Sequence, residues 1–227
     1  MERLTRHQVV QLASETGAVS GYDLSGLDLS NLDLTAVDFK RCNLRGTNLS
    51  SSNFSMSDFD NADLSGCNMS SSNFIGANFK GADLERADLT FSSFIGSDFS
   101  GANLRGVDFT NSKLSSADFG RADLSEANLR MTESVLIKGG AAIMQKIDAY
   151  GSSMIGADLS GADLRWAKFY GTDLCGANLS SADLRESDIV EVSLRGARLS
   201  NADVRGARIR GTDTARARLD GLKGSME

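Results

Sequence analysis

The apolar positions of this chain recur every five residues. From Leu24 onward, residues whose numbers end in 4 or 9 are Leu, Phe or Met: Leu24, Leu29, Leu34, Phe39 and so on to Phe119, Leu124 and Leu129. The same register resumes at Met154 and runs to Ile209. Two residues before each stands a small side chain, mostly Ala, Ser, Thr, Cys or Val. Asp or Asn lies between, as in Ala82-Asp83-Leu84-Glu85-Arg86. Five is not a helical period, because each step of five carries a side chain about 140° round an α-helix. A strand period of 2 places the small residue and the Leu or Phe on one face and the Asp or Asn on the other. Alternation breaks once per unit, so the pattern predicts a short strand and then a turn, repeated.

The phenylalanines give the size of the larger repeat. Phe39, Phe59, Phe79, Phe99 and Phe119 are spaced by 20 residues, as are Phe54, Phe74 and Phe94. The string Asn-Leu/Met-Ser-Ser-Ser-Asn-Phe also repeats, at Asn48–Phe54 and Asn68–Phe74. Four units therefore make one coil, and like residues stack on like along an axis. With coils about 4.8 Å apart, about nine of them make a rod of roughly 43 Å. Over about residues 22–221 the sequence resembles the pentapeptide-repeat family. That resemblance implies an all-β solenoid, a right-handed quadrilateral β-helix with Leu/Phe and small residues inward. The handedness rests on the resemblance alone.

Five segments follow: a helical cap over 1–21, coils over 22–131, an excursion over 132–152, coils over 153–221 and a tail over 222–227. In the first, Thr5 and Gln8 form a capping-box signal, Val9, Val10, Leu12 and Ala13 are apolar, and Gly17 suits a C-cap. A short helix covering the first coil is expected, since solenoid ends need covers. Leu27 and Leu32, large where the repeat is small, fit a wider capped end. From Met131 to Ser152 the pattern fails over the length of one coil. Gly139-Gly140 reads as a loop and Ala141–Tyr150 as a short helix, so a protruding loop is favoured over an irregular wrap. The C-terminal segment shows no helix, and an open end there suggests pairing with a second copy as a homodimer.

Composition adds exclusions. The chain has no proline, which suits backbone paired nearly everywhere. Its single histidine, His7, makes a Ser-His-Asp triad or a multi-histidine metal site untenable. No phosphate-binding glycine loop or clustered ligand motif is present, so no cofactor and no metal are expected. The net charge of −6 argues against direct nucleic-acid binding. Cys42, Cys67 and Cys175 are too few for a disulfide framework, and no apolar stretch is long enough to span a membrane. A cytoplasmic, non-catalytic protein is the expectation.

The outward positions differ from side to side, numbered 1 to 4 from Leu24, Leu29, Leu34 and Phe39. Side 1 alternates Asp63, Asp83, Asp123, Asp163, Asp183 and Asp203 with Arg45, Arg105, Arg165, Arg185 and Arg205, a ladder of ion pairs. Side 4 carries an acidic face of Asp38, Asp58, Asp60, Asp98, Asp118 and Asp158. Side 3 is poor in acids and shows Ile75, Ile95 and Ile155 with Phe91 nearby. Trp166, Tyr170 and Val190 lie beside the excursion. These seven residues are the candidate partner-binding set, because exposed apolar patches mark contact sites. Either the excursion folds back over them as a satellite core or they meet a partner. Cys42 and Cys67 fall in the small inward slot, and Cys175 points outward. The leading expectation is a protein–protein interaction scaffold or regulator. The alternative, implied by the resemblance, is a DNA-mimicking binder of type II topoisomerase (DNA gyrase) that modulates quinolone sensitivity.

Overall fold

The computed structural model describes residues 1–226. Beyond one helix it is built of parallel bridges that pair one residue of each five-residue unit with its counterpart 20 positions on. Asp23, Asn43, Asp63, Asp83, Asn103, Asp123, Ile143, Asp163, Asp183 and Asp203 form one such row. Four rows run side by side, numbered here by their first central residues: row 1 from Leu24, row 2 from Leu29, row 3 from Leu34, row 4 from Phe39. In row 2 the extended backbone lengthens into three parallel strands, β1 (Lys168–Tyr170), β2 (Asp188–Val190) and β3 (Arg208–Arg210), with Phe169 opposite Ile189 and Ile189 opposite Ile209.

Each unit is a strand of one bridged residue and a turn. The N–H of the small residue donates to the carbonyl of the preceding central residue, as Thr47 to Leu44 at 3.0 Å and Ala82 to Phe79 at 3.1 Å. The residue two after each centre has positive φ, for example Gly66 at 65° and Phe91 at 57°, while the residue before it does not. That combination defines a type II turn. The Asp or Asn of the unit serves the same turn. Its side-chain oxygen accepts the N–H two residues on, as Asp83 does from Glu85 at 3.0 Å, an Asx turn. Asn has a further use, since it can also donate. Asn43 reaches Asp23 and Asn103 reaches Asp83 across one coil, both at 2.9 Å.

Inside, the central side chains stack. Phe39, Phe59, Phe79, Phe99 and Phe119 lie ring on ring at 4.8–5.1 Å with interplanar angles of 3–5°. Phe54, Phe74 and Phe94 do the same in row 3 at 5.1 Å. The two stacks meet at 57–66° between rings. All of these rings are buried, and each removes some 150–250 Å² from water. The repeated serine string has its own purpose. Ser52 Oγ accepts from Leu32 N and donates to Leu29 O, bridging the turn of the coil before it. Ser72, Ser92 and Ser112 repeat this one coil at a time, a hydroxyl ladder that closes the row 2 to row 3 corner.

Helix α1 (Arg6–Thr16) covers the first coil. Thr5 and Gln8 form the full capping box, and Gly17 ends the helix at φ 69°. Val9 is buried, with Leu12 and Ala13 packed against the core. The chain before the helix extends the ladder, with Arg3 bridging Asp23. The guanidinium groups of Arg3 and Arg6 donate to the edge carbonyls of Ser25 and Ser30 at 3.1 and 2.9 Å. The cap therefore supplies both apolar cover and the donors that the first coil's edge needs. Leu27 and Leu32 beneath it are partly buried. In the last coil Ile209, Leu219 and Leu222 are also only partly buried.

The expected excursion is corrected. Residues 132–152 contain no protruding loop and no helix at Ala141–Tyr150; they form one more coil. Glu133, Lys138, Ile143 and Asp148 bridge the coils on both sides. The N–H groups of Lys138 and Ile143 reach Ala117 O and Ala122 O at 2.9 Å, as in any other coil. The physical reason is conserved volume. In Ile137-Lys138-Gly139 and Ile147-Asp148-Ala149 the large and small inward residues have exchanged places, with Ile in the small slot and Gly or Ala at the centre. Ile137, Ile147 and Ala149 are all buried. Gly139 has no room to spare, because a Cβ there would stand 2.9 Å from Leu159 Cδ2 and 3.0 Å from Met144 Cε. Lys138 and Gly140 need no interior slot, since the register puts both on the outside.

Candidate interaction site

Because 131–152 is a coil, its outward side chains belong to the rod's surface, and they are apolar. Met131, Leu136, Ile143 and Tyr150 are 42–59% exposed. They occupy successive corners and faces of a single coil, leaving Gly139-Gly140-Ala141 as a flat stretch on row 4. Ile143 stands in row 1 where every other coil from Asp23 to Asp203 presents Asp or Asn. Ile155 and Trp166 continue the patch into the next coil, at 39% and 44% exposure. Six of the eleven large apolar side chains exposed among the described residues thus fall within 131–166, which makes this a collar rather than scatter.

Two of the collar's corner residues are held by glycine. Side chains at these corners lean along the axis over the next coil. Met131 lies over Gly151, where a Cβ would come 2.8 Å from its sulfur, and Leu136 lies over Gly156, where a Cβ would come 2.8 Å from its Cδ2. Glycine there admits the leaning side chain and also takes the positive φ of the corner, 63° and 66°.

The predicted partner-binding residues fall into separate places. Ile75, Phe91 and Ile95 meet in a groove of about 750 Å³ on row 3. Tyr170 and Val190 join Met131 and Tyr150 around a notch of about 410 Å³ with Gly151 and Gly171 beside it. Arg130 lies 4.5 Å from the Tyr150 ring centroid and also pairs with Asp148 at 3.0 Å. Asp188 holds the Tyr170 phenol above its ordinary pKa by accepting its hydrogen bond. Ile155 neighbours Leu136, whose N–H donates to Ile155 O at 2.9 Å. Trp166 stands at the row 1 to row 2 corner with the Arg165 guanidinium 5.2 Å from its ring. Leu136, Ile143 and Tyr150 escaped the sequence reading because they were assigned to an excursion of loop and short helix, and Met131 because it was placed at that excursion's edge. The signal that marks them is the unbroken five-residue register of Glu133, Lys138, Ile143 and Asp148.

The acidic face is partly neutralised. Lys40 pairs with Asp58 at 2.9 Å, Lys80 with Asp98 at 3.0 Å and Lys138 with Asp118 at 3.8 Å. Asp38 and Asp158 accept backbone N–H groups from Lys40 and Ser160 in their Asx turns, and Asp60 accepts from Asn61. On row 1 the expected ladder is present. Arg45 pairs with Asp63, Arg105 with Asp123, and Asp163, Arg165, Asp183, Arg185, Asp203 and Arg205 form one chain of contacts. Its end member Asp203, gripped by Arg205, is lowered to about 2. Burial pushes Cys42 up to about 11 and Cys67 up to about 12, while Cys175 is half-buried. Among the described residues no group of His, Cys, Asp or Glu is placed to hold a metal ion.

A family model for pentapeptide repeats matches in 8 copies, over stretches including 20–55, 28–66, 52–90, 92–130, 142–180 and 177–213. The chain belongs to the pentapeptide-repeat family. One matched stretch ends at 130 and the next begins at 142, within the off-pattern coil. No curated protein matches at a significant level. Among solved structures the chain is similar to HetL of the cyanobacterium Nostoc sp. strain PCC 7120, a pentapeptide-repeat protein involved in the regulation of heterocyst differentiation. Identity is 26%, coverage 96% of both chains and TM-score 0.50. It is also similar to QnrB1, a plasmid-mediated fluoroquinolone resistance protein, at 21% identity, with 86% of this chain and 92% of that one covered and a TM-score of 0.36.

Proposed function

We propose that this protein is a non-catalytic regulator that binds another protein through the collar at 131–166. The observation that supports it most is Ile143, an exposed aliphatic side chain in a row that from Asp23 to Asp203 otherwise holds Asp and Asn. Together with Met131, Leu136 and Tyr150 it contributes nothing to the core and leaves apolar surface in water, which a partner's contact surface would bury. The likeness to HetL, a regulatory protein, agrees with this reading. The right-handed quadrilateral form implied by the family resemblance is part of the same proposal, supported by the 20-residue register with its four rows. The reading as a topoisomerase-binding DNA mimic is less well supported, because Lys40, Lys80 and Lys138 cancel three of the acids on row 4 and weaken the phosphate-like field.

The test returns the collar to the repeat consensus. Ile143→Asp restores the residue type of its row, and Leu136→Asn places a residue type already found at positive-φ corners such as Asn31 and Asn111. Neither change threatens the fold. The double variant is expected to lose the partner that the wild-type protein retains from its source cells. Undiminished retention of that same partner refutes the collar as the binding site.

A further inference from the structure

We infer that the row 3 groove is a second, independent site that binds a neutral oligosaccharide lengthwise. The groove lies in the N-terminal half, at the row 2 to row 3 corner and on row 3, and its volume of about 750 Å³ is that of a ligand site. Its outward row reads Asp33, Asn53, Asn73, Ser93, Lys113, so three coils in succession present only amides and a hydroxyl. The Asn53 amide is spent on Thr35 Oγ1 at 2.8 Å and Asp33 Oδ1 at 3.3 Å, but the donors of the next two coils are not spent within the protein. Asn73 Oδ1 accepts the Ile75 N–H at 3.1 Å in its Asx turn, but its amide nitrogen has no partner among the described residues. Ser93 Oγ is shielded from solvent and has no partner among the described residues. An orphaned hydroxyl of this kind calls for a ligand or an ordered water.

The walls are apolar. Phe91 is 64% exposed on a corner with φ 57°, where the stacked positions one and two coils earlier are Ser71 and Ser51. Ile75 and Ile95 face it from the row 3 side of the groove. An aromatic face and two aliphatic side chains beside unpaired amide and hydroxyl groups match a pyranose, which has an apolar C–H face and a rim of hydroxyls that both donate and accept. Like positions repeat at the coil spacing of about 4.8 Å, close to the length of one hexose, so successive sugars meet successive coils.

Other ligands fit less well. A peptide cannot add as a strand, because the row 3 backbone is already paired: Phe54 N to Asn73 O, Asn73 N to Ser52 O and Phe74 N to Ser93 O at 2.7–2.9 Å. An anionic ligand would find Lys113 at one end of the groove and Asp33 at the other.

The full chain is titrated by NMR with cellohexaose, maltohexaose and chitohexaose at about 1 mM, where weak sites are still detected. At least one is expected to bind. Phe91→Ser, which copies Ser71, and Asn73→Asp, which keeps the Asx turn but removes the amide donor, are each expected to weaken binding about tenfold or more. Leu136→Asn in the collar is expected to leave it unchanged, which separates this site from the protein-binding one. Absence of binding by all three sugars, equal binding by both groove variants, or equal binding of an apolar hexapeptide without hydroxyls would overturn the proposal.

Discussion

The exchanged residues of the off-pattern coil permit a sharp test of why that coil forms. Ile147 fills the small slot of row 2 and Ala149 the centre, both fully buried, between Ala127 and Ala167 in the slots above and below. Ile147→Ala alone leaves two alanines side by side in one unit. With full burial and stiff neighbours it should cost about 2–5 kcal/mol, transfer and cavity terms together. Ala149→Leu alone forces a large centre against a large slot residue and should cost about 1–3 kcal/mol. Together the two changes restore the small–x–large order of every other unit at nearly constant volume, so the pair should cost less than about 1.5 kcal/mol. The coupling is then at least about 1.5 kcal/mol. Guanidinium unfolding of wild type, both single variants and the double variant reads this directly as midpoint shifts. Additive losses, or a double variant weaker than either single one, would refute conserved inward volume as the reason the chain stays in register.

Three further outcomes are expected. Gly96→Ala, at φ 68° with open space around a Cβ, should cost about 1 kcal/mol for backbone conformation alone. Gly156→Ala should exceed it by about 1 kcal/mol, because its Cβ meets Leu136, and Leu136→Ser should erase the difference in thermal or chemical melts. Asp203 is held near 2 against an ordinary value of about 3.9, so its small contribution to stability is complete above about pH 4 and is lost as pH falls toward 2. Arg205→Gln should move the Asp203 carboxyl midpoint upward in an NMR titration. Of the three thiols, Cys175 should react with maleimide in the native state while Cys42 and Cys67, buried and held protonated, react only on unfolding.

How far the sequence carries depends on which rule a residue obeys. The five-residue register, the phenylalanine stacks and the Thr5–Gln8 cap were legible because each follows from local pattern and turn chemistry. The coil at 132–152 was not, because the eye follows the large residue at the centre, while the core responds to the summed volume of slot and centre. Ile137 with Gly139, and Ile147 with Ala149, satisfy the sum while violating the pattern. That one misreading hid Leu136, Ile143 and Tyr150 in a supposed excursion of loop and short helix, and left Met131 at its edge. Ile75, Phe91 and Ile95 were visible as outward apolar residues. Their assembly into one groove required the stacking of three coils, and the orphaned Ser93 hydroxyl has no sequence signature.

Oxidative footprinting of the methionines tests the central claim most directly. In the free protein Met56 and Met131, 67% and 55% exposed, should oxidise readily, and Met144 and Met154, fully buried within or beside the off-pattern coil, should resist. With the bound partner, Met131 should become protected while Met56, outside the collar, stays reactive. Oxidation of Met144 as fast as Met131 in the free protein, or a bound partner that protects Met56 and leaves Met131 exposed, would contradict the account.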